Sequence, residues 1–138
     1  MPANDTIYPA VKNALIRDGW TITHDPFTAI FGGVRVHADL AAEKLLAAER
    51  GTERIAVEIK SFIGVCPIHD FEVAIGQFML YLSVLKRVDQ GRKLYLAVSQ
   101  DIHDTLFNRE GIRAALDDYS IPRIVIRVAE EEVVSWIG

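Results

Sequence analysis

The chain has 138 residues, half of them hydrophobic, and carries 15 basic against 19 acidic residues for a net charge of −4. That length and apolar share predict a single domain over residues 1–138 with its own core and no need of a disulfide or metal staple. The acidic balance excludes a tight, non-specific DNA binder working by broad phosphate neutralisation, so any nucleic-acid contact has to be local, metal-assisted or supplied by a partner.

Ile7, Val11 and Leu15 recur at helical spacing between an Asp5/Thr6 cap region and a Gly19 stop, which predicts a first helix. Trp20–Thr23 reads as a short strand ending at Asp25-Pro26, and Gly32-Gly33 separates Phe27–Phe31 from the alternating Val34–His37. The Ala, Leu, Glu and Lys content of residues 40–50 favours helix by propensity, whereas Glu49–Glu53 suits a hairpin tip before the β-rich run Arg54–Lys60. A helix is expected over Phe71–Arg87, with Pro67 and Asp70 as loop exit and N-cap, Glu72 in the first turn and Lys86 and Arg87 in the last. Its apolar part contains Glu72 and Gln77 and reads as too short and mixed to span a bilayer, so no membrane association is expected. Beyond Gly91, Lys93–Val98 reads as a buried strand, Leu106, Ile112, Ala115 and Leu116 as helical packing positions, and Ile121–Val128 as β-structure. Val133–Ile137 is expected to pair with that last strand across the acidic turn Glu130–Glu132, itself read as solvated or as a feature for a basic partner. No repeat, low-complexity segment or linker interrupts the chain. The single Cys66 cannot make an internal bridge, and the polar opening Met1–Thr6 is unlike a signal peptide, so cytoplasmic residence is expected.

Chemistry concentrates at Glu58-Ile59-Lys60. On a strand, Glu58 and Lys60 emerge on one face while Val57 and Ile59 turn to the other. Such a pair is either an ordinary cross-face ion pair on a half-exposed edge or part of an active site. If Asp39 lies on the neighbouring strand, two carboxylates and an ammonium converge, the minimum equipment for holding a divalent cation and a water near a phosphodiester. The arrangement Asp…Glu-x-Lys resembles the PD-(D/E)XK nuclease superfamily. Gln77 and Tyr81, one turn apart on one face of the following helix, either satisfy each other or extend the site. They resemble the Gln-x-x-x-Tyr motif of the exonuclease-like branch of that superfamily.

At the level of the whole chain, Asp18-Gly19-Trp20 with Thr23-His24-Asp25-Pro26, then Ala38-Asp39-Leu40-Ala41-Ala42-Glu43-Lys44, then the run from Ala47 to Phe62 resemble the XisH family, named for the fdxN element excision controlling factor and known from cyanobacteria. The resemblance implies a restriction-endonuclease-like α/β core of order α-β-β-β-α-β, with the C-terminal helix and strands as an added layer. It favours a hairpin that pairs a strand over 39–49 with one over 53–61, carrying Asp39 near its start and Glu58 on the return. It also implies a role in controlling programmed DNA excision, beside an XisI-like companion protein and within a homo- or hetero-oligomer. Ala38 departs from the superfamily pattern by standing where a Pro precedes the Asp, a backbone feature of little chemical consequence. On this resemblance Asp39, Glu58 and the Ile59 carbonyl would hold Mg²⁺ or Mn²⁺, Lys60 would serve the attacking water, Gln77 would fix the site, and Tyr81 would touch a phosphate or stack on a base. Function is then expected to be metal-dependent hydrolysis of DNA phosphodiesters or, alternatively, a catalytically silent regulatory subunit acting through its companion or a recombinase; a purely structural dimer is the third class.

Two smaller groupings carry weaker chemistry. Cys66 and His69, with Asp70 adjacent, lack the second pair that a zinc site needs and any motif to activate the thiol, so they read as a loop feeding the helix. His37, two residues before Asp39, would reach phosphate or metal-bound water, or else make a structural hydrogen bond.

Overall fold

The computed structural model describes residues 7–47 and 51–138. Helix α1 (Tyr8–Arg17) carries Pro9 in its first turn, where a missing N–H is harmless, and ends before Gly19, whose φ of +94° suits a residue without Cβ. Val11 and Leu15 are buried as their spacing predicts, and so is Ile7 at the cap position; the Asp5/Thr6 cap falls outside the described residues. There follow β1 (Thr21–His24), β2 (Phe27–Phe31), β3 (Val34–Ala38), β4 (Leu40–Ala47), β5 (Gly51–Ile59), α2 (Pro67–Val88), β6 (Arg92–Ser99), α3 (Gln100–Asp104), α4 (Glu110–Asp118), β7 (Arg123–Arg127) and β8 (Glu132–Ile137).

Six strands form one mixed sheet in the order β1-β4-β5-β6-β7-β8, parallel between β5, β6 and β7 and antiparallel elsewhere, while β2 and β3 close a separate hairpin around Gly32-Gly33. Both faces of the large sheet are covered. Leu40, Val57, Ile59, Ala97 and Ile124 pack beneath α1 with Trp20. Ala56, Leu94, Leu96 and Val98 pack on the other side beneath α2, the hairpin and α4, through Phe78, Ala29, Val36 and Leu116. The near-continuous apolar content of β5 and β6 follows from this double coverage.

Residues 40–47 form a strand, and tertiary pairing overrides their helical propensity: β4 is hydrogen-bonded to β5 on one side, from Leu40 opposite Val57 to Ala47 opposite Gly51, and to β1 on the other. The expected hairpin tip needs correction. Gly51, Thr52 and Glu53 already belong to β5, with Gly51 at φ +77°, whereas Ala48–Arg50 lie outside the described residues. Strand β5 ends at Ile59 instead of residue 61, although the Lys60 N–H still bonds the Ala97 carbonyl at 3.1 Å. Helix α2 begins four residues earlier than expected, because Pro67 takes the first helical position; Asp70 therefore sits inside the first turn, and Cys66 holds the cap position without a side-chain bond. At 22 residues α2 is long and apolar enough to cross a membrane by length and composition, contrary to the shorter segment expected, yet here one side of it packs on the sheet. The C-terminal strands are likewise no added layer: β7 and β8 continue the central sheet beyond β6.

Helix α2 is pinned at both ends. At its start Phe71 packs with Phe62 and Phe107, ring centroids 5.5 to 6.4 Å apart. At its end the C-cap Asp89 accepts from Arg92 Nε at 2.8 Å and from Arg54 Nη1 at 2.5 Å, while the buried Arg92 also donates to the Ile55 carbonyl at 3.0 Å and lies over the Phe27 ring. This network joins α2, the hairpin and the start of β6. Replacing Asp89 by Ala strands a buried guanidinium, so Asp89→Ala is expected to lose about 3 kcal/mol in urea unfolding; a loss under about 1 kcal/mol would show that the network does not anchor the helix.

Candidate active site

Register builds the site. The β4–β5 pairing ends with Leu40 opposite Val57, so the next residues outward, Asp39 and Glu58, face each other. Leu40, Val57 and Ile59 belong to the core beneath α1, and alternation sends Asp39, Glu58 and Lys60 to the side of α2. Asp39 Oδ2 accepts the Ile59 N–H at 2.8 Å, which ties the bend before β4 to the end of β5. Ile59 thus touches the pair through its amide, alongside the carbonyl role expected for it. Lys60 Nζ lies 3.6 Å from Glu58 Oε2.

Glu58 is only 6 % exposed. Burial, followed by the adjacent Asp39 carboxylate, pushes the Glu58 carboxyl up to about 8, and the nearby Lys60 ammonium offsets this only in part. Without another cation the pair therefore retains a proton at neutral pH, through which Glu58 and Asp39 share a hydrogen bond.

Helix α2 supplies the opposite wall. Phe78 is buried and Leu82 packs beside it, and Tyr81 lies within the field of the carboxyl pair. Burial, then Glu58 and Asp39, push the half-buried Tyr81 hydroxyl up to about 12, so it remains a proton donor in their field. Among the described residues the buried Gln77 Oε1 has no hydrogen-bond partner, so it is not satisfied by the Tyr81 phenol. Past Lys60 the chain reverses at Phe62, held at φ +55°, and opens a cleft of about 240 Å³ lined by Lys60, the buried Ser61, His69, Asp70 and Val73. A Cβ on Gly64 would lie 2.4 Å from Asp70 Oδ2, so a larger residue there would have to displace the Asp70 carboxyl end.

Asp39, Glu58, Lys60 and Tyr81 are thus brought together; Gln77 lies one helical turn before Tyr81 with its amide oxygen buried. The remaining candidates are placed elsewhere. His37 bonds Thr28 Oγ1 across the hairpin at 2.9 Å, the structural alternative. Cys66 is an exposed thiol at the α2 cap, and His69, expected in a loop, lies in the first turn of α2, 3.8 Å from Glu72. Among the described residues no set of three or more His, Cys, Asp or Glu side chains is placed to hold a metal. The acidic turn is tied down: Arg127 reaches Glu130 at 4.0 Å and Glu132 at 3.5 Å, Asn13 donates to Glu131 at 3.0 Å, and Arg17 to the Glu130 carbonyl at 2.5 Å.

One grouping was not anticipated. Tyr8 donates to Asp25 Oδ1, and Lys12 Nζ lies 2.6 Å from Asp25 Oδ2. Burial, then Asp25 and finally Asp39, push the Tyr8 hydroxyl up to about 12, which places this cluster on the flank of Asp39. The i, i+4 spacing of Tyr8 and Lys12 on the polar side of α1 was the available signal.

The XisH family model (XisH protein) matches residues 1–134. Two crystal structures are close. An XisH family protein from Nostoc punctiforme PCC 73102 is 36 % identical with a TM-score of 0.88, the match covering 97 % of this chain and all of the other. A fdxN element excision controlling factor protein from Anabaena variabilis is also 36 % identical at a TM-score of 0.88, over 98 % of this chain and all of the other. Comparison with curated proteins gives no match. A match along nearly the whole chain, in sequence and in backbone alike, establishes that this chain belongs to the XisH family.

Proposed function

We propose that this chain is an excision-controlling factor whose site hydrolyses DNA phosphodiesters with the help of Mg²⁺ or Mn²⁺. The observation that carries the reading is the convergence of two carboxyl groups, one of them buried and holding a proton at neutral pH, with an ammonium. The element order α1, β1, β4, β5, α2, β6, with the β2–β3 hairpin inserted and β4 antiparallel to the other three strands, supports the restriction-endonuclease-like core that such a site requires. The Anabaena variabilis relative, described as a fdxN element excision controlling factor, supports the biological setting, and a DNA substrate fits cytoplasmic residence.

The donor set fits a hard divalent cation. The candidate donors Asp39, Glu58 and the Ile59 carbonyl are all oxygens, and Glu58 and Asp39 repel each other when both are ionised, a repulsion that a cation would relieve. Asp39 and Glu58 would hold the ion with the Ile59 carbonyl; when bound, the ion neutralises phosphate charge and acidifies a water. The residues of the chain do the positioning. Asp39 is oriented by the Ile59 N–H, Lys60 offsets negative charge growing on the phosphate, Tyr81 donates a hydrogen bond to a phosphate oxygen or stacks on a base, and Gln77 Oε1 accepts from the attacking water.

The net charge of −4 and the limit of two carboxylates favour a second reading, a catalytically silent subunit that regulates excision by binding an XisI-like companion or a recombinase. Kinetics separate the two. Lys60→Ala is expected to reduce Mn²⁺-dependent nicking of supercoiled DNA at least about a hundredfold while shifting stability by less than about 0.5 kcal/mol, and Lys60→Arg is not expected to restore it. Absence of nicking by the parent protein together with its companion, with excision in cells unaffected by Lys60→Ala, would leave the regulatory reading.

A second expectation concerns the proton. The folded value of Glu58, about 8, lies above the ordinary 4.5, so folding takes up a proton between these limits. The associated stability is complete below the ordinary value and is lost as pH rises through the folded one. The metal-free protein should therefore melt at falling temperature as pH rises across that window, and Glu58→Gln should flatten the profile. Mn²⁺ displaces the same proton, so it should raise the melting temperature at about pH 8.5 far more than at about pH 5.5. An equal effect at both pH values would place the ion away from Glu58.

A further inference from the structure

We propose that the outer face of α2 is the contact through which two copies of this chain pair, helix against helix and antiparallel. The inner face of α2 is accounted for by Phe71, Ala74, Phe78 and Leu85, all buried. On the outer face Val73, Met79 and Leu80 are 44, 40 and 48 % exposed, and Ile30 and Phe31 of the hairpin lie bare as well, with Phe31 beside Arg87 at the C-terminal end of the helix. A grouped apolar surface of this kind marks an association site in a way that scattered exposed side chains do not.

Charge and size choose the occupant. Helical spacing puts Glu72, Gly76, Ser83 and Arg87 in one line along the outer face, with Met79 and Leu80 either side of its midpoint. Glu72 and Arg87 stand about 22 Å apart on the axis at 1.5 Å rise per residue, too far to neutralise each other within one chain. A two-fold axis between residues 79 and 80 brings Glu72 of one copy to Arg87 of the other at both ends, and crosses Met79 with Leu80 at the centre. It also sets Gly76 against Ser83, two small residues that let the backbones approach. Such self-complementarity is what an isologous dimer needs. Base at the last turn also suits the helix dipole, but Glu72, beyond the first turn, and the apolar centre are not accounted for by it. One pair of helices is small against the roughly 1,200 Å² or more of a stable interface, and the hairpin residues extend it. The face adjoins the Lys60 cleft through Val73, so a bound copy would wall its open side.

Sedimentation equilibrium of the full chain tests this without reference to catalysis. The parent protein should dimerise at micromolar concentration, Leu80→Glu should be monomeric with unchanged far-ultraviolet circular dichroism, and Glu72→Arg or Arg87→Glu should each weaken the dimer at least about tenfold. Combining Glu72→Arg with Arg87→Glu should restore it to within about threefold of the parent. A parent protein that remains monomeric at about 0.5 mM, a dimer indifferent to Leu80→Glu, or a double variant no better than either single one overturns the proposal. So does a monomer that co-sediments with phosphatidylglycerol vesicles through the same residues, which would assign the face to a lipid surface.

Discussion

Asp39 and Glu58 face each other because β4 and β5 pair in one register, and most of what distinguishes this molecule follows from that placement. Two carboxyl groups side by side, one of them out of contact with water, oppose folding whenever both are ionised. The fold tolerates them through three local devices: a proton held on Glu58, the Ile59 N–H directed at Asp39, and the Lys60 ammonium at 3.6 Å. Register leaves little latitude. A slip of one residue would carry Glu58 into the apolar layer beneath α1 and send Val57 to the carboxylate side, so the same hydrophobic pattern that builds the core also fixes the site. The central position of β5, flanked by β4 and β6, makes such a slip expensive in ladder hydrogen bonds as well.

Much of this was legible in the amino-acid order. The alternation of residues 54–60 gave a strand with Glu58 and Lys60 on one face, and the i, i+4 spacing of Gln77 and Tyr81 gave a shared helical face. Both are local periodicities, which a linear reading handles well. Residues 40–47 were different. Their composition favours helix, and only pairing with β1 and β5 makes them a strand, a non-local effect that no window of residues contains; the family resemblance, not the residues themselves, pointed to it. The Tyr8–Lys12–Asp25 cluster escaped notice because two elements that meet only in the folded state supply it. Pro67 reads as a loop exit, but the first position of a helix accepts proline as readily, and α2 starts there, four residues before the expected Phe71.

Helix α2 shows why hydropathy alone could not assign its role. It is apolar on nearly all sides, a pattern shared by buried helices, membrane spans and helices that pair on an outer face. Packing resolves one side: Phe71, Ala74, Phe78 and Leu85 enter the core, and the flank between inner and outer faces presents Tyr81 to the carboxyl pair. The same rigid rod therefore sets the far wall of the site and leaves an apolar stripe on its back. Movement of the rod would be felt in the site at once, which is the physical reason for pinning it with three aromatic rings at one end and a buried arginine at the other.

On the proposed reading, an acidic protein must nevertheless bring a polyanion to its surface, and the charge state of the pocket explains how. In the metal-free state at neutral pH Glu58 holds its proton, so the carboxyl pair carries less negative charge than two ionised carboxylates would, although the chain as a whole is negative. Exchange of that proton for a divalent cation adds more positive charge than ionisation of Glu58 removes, so the pocket gains positive charge when the ion binds. Attraction for phosphate would be local to the site and conditional on the ion, without a basic surface that would hold DNA indiscriminately. On that reading, a site that attracts phosphate only when loaded separates chemistry at the pocket from recognition of the DNA elsewhere.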